Sequence, residues 1–223
     1  MSSTRRADGA GSSGGTRNFS WSANGGAGPA VSTQVTWTGP VVLFTVAFPE
    51  GATGTANPNG SATITEFPAW QKNAGLLPKL SSLSWSNAFL EGLDVGTGAP
   101  AGGPDHESPT VLYKAFNGTS AVISPASEFM TVQHSLTAAG AWHYGVGSAV
   151  TELPKGFALQ SIAVWSSGIS ASLDAWGEVM QQKYSAGASK IADLTATKLG
   201  YMTDRVRAST QRIGRSNPAL PAL

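Results

Sequence analysis

The chain has 223 residues and a net charge of +1. That length carries one domain, or one domain plus part of a second, and so small a charge supplies no field to draw nucleic acid or anionic lipid. With no cysteine, disulfides and thiolate metal sites are excluded, and no apolar run approaches the ~20 residues of a membrane helix. Neither a nucleic-acid nor a membrane partner is expected, and no cofactor.

In chain order, residues 1–17 are small and polar without periodicity, which predicts a disordered tail. The stretch Met1 to Thr16 lacks the apolar centre of a secretory leader, so the compartment stays open and leans to the cytoplasm. Strands are expected near Phe19 to Trp21 and over Val31 to Trp37, where Val31, Thr33, Val35 and Trp37 alternate with polar residues. Val41 to Phe48 is a near-continuous apolar run, as in a strand buried on both faces. Ala62 to Phe67 and Leu80 to Trp85 read as further strands. Residues 51–60, 68–79 and 92–109 are rich in Gly and Pro and read as loops.

Thr110 to Phe116 and Ser120 to Ser124 flank Asn117-Gly118, a pair that tolerates the positive φ of a tight hairpin turn. Phe129 to Leu136 and Ala141 to Val146 are two more strands, and Phe157 to Trp165 is another. In the next segment Leu173, Trp176, Val179, Met180 and Tyr184 recur at helical spacing, with Ser170 or Ser172 able to cap the start. Asp193 to Asp204 begins as a strand and stops at a carboxylate. Nine or ten short strands before a first helix make a β-sandwich pattern.

Few residues stand out as chemistry. Asp105-His106-Glu107 are adjacent, and on an extended backbone they point to opposite sides rather than at one ion. His134 and His143 lie on consecutive strands with no evident third metal ligand, so hydrogen-bonded core or surface histidines are expected. Gly96-Thr-Gly98 and Gly145-Val-Gly147 lack the rest of a nucleotide-binding loop. The matches to the glycosylation sequon at Asn18, Asn59 and Asn117 read as chance. Seven Trp and eight Phe supply area for a core or for a sugar-stacking surface, with core burial the expectation for any single Trp. Asp204 differs in its place: an acid ending the first strand of a parallel barrel lies on the face where such folds hold substrate.

Val122-Ile-Ser-Pro-Ala-Ser-Glu-Phe-Met130, Trp142-His-Tyr-Gly-Val-Gly147, Leu153-Pro-Lys-Gly-Phe157 and Ser172-Leu-Asp-Ala-Trp-Gly177 occur in that order. The set resembles the N-terminal β-sandwich of raffinose synthase-like and α-galactosidase-like glycosyl enzymes, over roughly residues 30–204. Leu199-Gly-Tyr-Met-Thr-Asp204 is similar to the motif that opens the (β/α)₈ barrel there, although the Trp before the acid is missing.

The resemblance implies a mainly β chain, an antiparallel β-sandwich followed by one amphipathic helix and a final strand. The boundaries expected are 18–168 for the sandwich, 169–187 for the packing helix, 188–204 for the first strand of an incomplete barrel and 205–223 for a disordered tail. It implies a non-catalytic domain of a glycoside hydrolase or galactosyltransferase-like enzyme, truncated or frame-shifted ahead of the barrel that carries the two catalytic carboxylates. A carbohydrate and that missing barrel would be its partners, with Tyr201 and Asp204 touching substrate. The alternative is a stand-alone carbohydrate-binding, lectin-like or structural sandwich.

Overall fold

A computed structural model describes residues 6–7, 14–22, 30–55, 63–71, 79–85, 93–97, 109–114, 118–136 and 141–186. The chain divides into two units, Met1–Ser185 and Ala186–Leu223; everything below concerns the first. In chain order come β1 (Arg6–Ala7), β2 (Gly14–Ser22), β3 (Ala30–Thr38), β4 (Val41–Phe48), β5 (Ala52–Thr53), β6 (Ala69–Gln71) and β7 (Ser81–Trp85). Then follow β8 (Leu93–Thr97), β9 (Thr110–Tyr113), β10 (Thr119–Pro125), β11 (Val132–Leu136), β12 (Ala141–Val146), β13 (Glu152–Leu153), β14 (Phe157–Ser167) and the single described helix α1 (Ile169–Lys183). No described helix is long and apolar enough to cross a membrane.

The protein is a mainly β, antiparallel sandwich followed by one amphipathic helix. Nine strands form one sheet in the order β1-β2-β3-β4-β14-β10-β9-β7-β8, and β11-β12-β6 form a narrower one. Side chains alternate across a strand, and residues paired across a ladder share a face. One face of β4 therefore places Phe44, Val46 and Phe48 beside Leu159 and Phe157 of β14, against Trp142, Tyr144 and Val146 of the small sheet. The other face gives Val41 and Leu43, which with Ile162, Val164 and Ala126 receive Trp176, Val179 and Met180 of α1. The apolar run 41–48 thus packs on both sides, buried at Val46 and Phe48 on the inner face and half-buried at Val41 and Leu43 on the helix side.

Position within the layers accounts for where local patterns misled. β2 begins at Gly14 and β1 lies at residues 6–7, inside the stretch whose composition predicts disorder. Backbone pairing needs no particular side chain, and β3 offers Gly14 to Ser22 a full nine-residue ladder. For the same reason β8 forms within the expected 92–109 loop, paired on β7. Conversely, of the expected strand 62–67 the described part, 63–67, is no regular strand. Thr63 bridges Gly147, Ile64 N–H donates to Val146 O at 2.8 Å and Phe67 N–H to Tyr144 O at 3.0 Å, and the regular pairing comes only at β6.

The helix starts at Ile169, with Gly168 before it at φ 98°, and no side chain caps it. Neither Ser170 nor Ser172 serves as the expected cap. Ser172 lies inside the helix and is buried, where its Oγ is 2.6 Å from Ser120 Oγ. The expected final strand 188–204 and tail 205–223 lie outside the described residues.

Candidate functional site

The two sheets differ in width, and that difference makes a cleft. The core between them draws on β4, β9, β10 and β14 of the large sheet; among the described residues β2 contributes nothing to it and β3 only Val31 at its margin. The inner faces of β2 and β3 therefore overhang the small sheet. Where they meet the edge segment 63–67 lies a cavity of about 770 Å³ lined by Trp21, Val31, Thr33, Val46, Thr55, Thr63, Ile64, Thr65, Glu66 and Phe67.

Each wall is set by an adjacent element. Trp21 sits near the end of β2, opposite Val31 of β3, and its indole N–H donates to Thr33 Oγ1 at 3.0 Å. That bond spans the ladder and fixes the ring's tilt, leaving it half-buried at the cleft. The floor is Val31, Thr33 and Val46. On the far side Thr65 Oγ1 accepts the Val146 N–H at 3.0 Å, which holds the edge segment on β12. Thr55 Oγ1 donates to Val150 O at 2.6 Å.

Behind Thr63 stands His143, its Nε2 2.7 Å from Thr63 Oγ1. Burial lowers its pKa from the usual 6.5, against the smaller opposing pulls of the Ala141 carbonyl and the Glu66 carboxylate. Burial therefore favours the neutral imidazole. With Nδ1 facing Ala141 O at 3.5 Å, Nε2 is left to accept the Thr63 proton. The wall thus combines an indole, apolar side chains, threonine hydroxyls and the exposed Glu66 carboxylate, the mixture that small polar ligands with apolar faces require.

The histidines do not act together. β11 and β12 pair with His134 opposite Tyr144 and Ser135 opposite His143, so the one-residue offset sends the two rings to opposite faces. His134 is a core residue, accepting the Trp142 indole N–H on Nδ1 at 3.2 Å. Among the described residues no group of three metal-binding side chains exists. Trp142 is fully buried and stacks on Trp70 at 5.1 Å, and Trp176 donates to Ser124 Oγ at 2.8 Å beneath the helix. Trp165 is 41% exposed.

Tyr201 and Asp204 lie outside the described residues, as do Asp105, His106 and Glu107. The lining residues Trp21, Thr33, Thr63 and Glu66 carry no motif. The single signal in the sequence is the alternation that puts Trp21, Val31 and Thr33 on inward-facing strand positions.

No protein-family model matches the chain, and no curated protein matches it. Among solved structures it is similar to a protein of Escherichia coli K12 described, provisionally, as an aldose 1-epimerase. The TM-score is 0.39 at 9% identity, over 73% of this chain and 68% of that one. So distant a likeness carries no property across.

Proposed function

We propose that this chain is a sugar-binding, non-catalytic β-sandwich of the kind that accompanies a glycosyl-enzyme catalytic domain. The observation that carries the reading is the cleft itself: the Trp21 indole on one wall, the hydroxyls of Thr55, Thr63 and Thr65 and the Glu66 carboxylate on the others. A pyranose has an apolar face of C–H bonds and a rim of hydroxyls, so it pairs with an aromatic ring on one side and hydrogen-bonding groups around it.

Hydrolysis of a glycosidic bond ordinarily takes two carboxyl groups, about 5 Å apart in retaining enzymes. Among the described lining residues Glu66 is the one carboxylate, which favours binding over chemistry. The apolar side of α1 lies on its own sheet, so the helix gives no support to an open docking face for a missing barrel. The sequence resemblance makes α-galactosides the first sugars to try and a (β/α)₈ barrel the catalytic partner in a parent enzyme.

Calorimetric titration with galactose, melibiose and raffinose tests the reading. Binding heat is expected with at least one α-galactoside, lost in Trp21→Ala without loss of the folded state, and no sugar should be released from an aryl α-galactoside. Absence of binding across a broad glycan panel, or turnover by the isolated chain, overturns it.

A further inference from the structure

The two faces of the β2–β3 ribbon differ. Outward, Thr16 and Thr36 hydroxyls meet at 3.2 Å and Gln34 Nε2 donates to Asn18 Oδ1 at 2.7 Å, a polar ladder addressed to water. Inward, the register puts Gly15, Arg17, Phe19 and Trp21 beside Trp37, Val35, Thr33 and Val31. Phe19 and Trp21 stack with centroids 6.4 Å apart. Trp37 lies against the backbone of Gly15, where a Cβ would stand 2.5 Å from the ring, so only glycine admits it. Arg17 then covers the indole, its guanidinium carbon 5.9 Å from the ring centroid.

The rings of Phe19, Trp21 and Trp37 are half-buried on this face, so part of each is left to contact a ligand. The ligand's chemistry follows from Arg17. Its guanidinium is exposed, is held near an indole, and has no carboxylate partner among the described residues. A planar fork held in one orientation matches a carboxylate by two parallel N–H···O bonds, and the cation–π contact limits its wandering. Arg17 and Trp21 are four residues apart on one strand and on one face, about 13 Å. That is the reach of a short oligosaccharide, longer than a single sugar.

The geometry points to an acidic oligosaccharide as the ligand of this face, with one ring on Trp21 in the cleft and a uronate carboxylate farther along on Arg17. The assignment rests on the sugar-binding reading and adds length and charge to it. Trp21 and Phe19 supply stacking that is indifferent to charge, and Arg17 selects the acid.

The test is a calorimetric comparison of a neutral galacto-trisaccharide with a galacturonate trisaccharide, at low and at high salt. The acidic ligand is expected to bind about tenfold more tightly at low salt, the worth of one well-placed charge-assisted pair, and to lose most of that margin at high salt. Arg17→Gln should erase the margin, so that the acidic ligand binds no more tightly than the neutral one; Arg17→Lys should restore the salt-sensitive part without the full margin. Equal affinities for the two ligands, or a preference that survives Arg17→Gln in a folded variant, overturns the proposal and leaves the cleft reading standing. No binding of either trisaccharide, or binding that Trp21→Ala leaves unchanged, overturns both.

Discussion

Thr63 Oγ1 lies 2.7 Å from Nε2 of His143, a buried bond between residues 80 positions apart that ties the cleft's edge segment to the middle strand of the small sheet. Folding lowers the pKa of His143 from 6.5. The neutral ring's contribution is therefore complete above pH 6.5 and is lost as the pH falls from there through the folded value. Urea denaturation from neutrality to about pH 5 should show this loss. His143→Gln, less stable at neutrality, should lose less over the same window; identical pH slopes would remove the linkage.

Gly145 on β12 faces the Thr65 backbone so closely that a Cβ would meet the Thr65 carbonyl oxygen inside contact distance. Gly145→Ala must push the edge segment off the small sheet. A cost of about 3 kcal/mol, the upper range for overpacking, is expected. Chemical denaturation measures it, and sugar binding should weaken in the same variant because Thr63, Thr65 and Glu66 move with the segment.

Trp176 anchors α1 by filling the space over Leu43, Ile162 and Val164 and by donating to Ser124. Trp176→Ala should cost about 3 kcal/mol, and Trp176→Phe about 1 kcal/mol for the lost hydrogen bond. The midpoint and slope of a denaturant titration separate the two, since the ring's packing survives in the second variant.

Ser172 is fully buried, with its Oγ donating to Ser120 O at 3.0 Å. Ser172→Ala leaves the Ser120 hydroxyl short of a partner and should cost about 1–2 kcal/mol. The exposed pair of Lys155 and Glu50, at 2.7 Å, is the contrasting case. Glu50→Ala should change stability by about 0.5 kcal/mol or less, because solvent screens both charges.

Strand existence was the most legible layer. The alternation over 31–37, the apolar run over 41–48 and the helical spacing of Trp176, Val179 and Met180 each describe one element's burial, and burial leaves its mark on neighbouring residues. The hairpin of β9 and β10 was legible, since the two pair antiparallel and Gly118 between them has φ 70°; Asn117 lies outside the described residues. Strands whose only reason is a partner's free edge were not. β1, the start of β2, β6 and β8 have compositions that read as tail or loop.

The sequence by itself determined a mainly β sandwich followed by one amphipathic helix, because period-two and period-3.6 burial are written into consecutive side chains. Only the tertiary structure decided that β4 lies beside β14, that His134 and His143 face apart, and that a broad sheet overhangs a narrow one to open a cleft at Trp21. Those are matters of register and layer width, set by pairings between residues far apart in the chain. A one-residue shift in such a pairing turns a whole strand over without altering any local pattern.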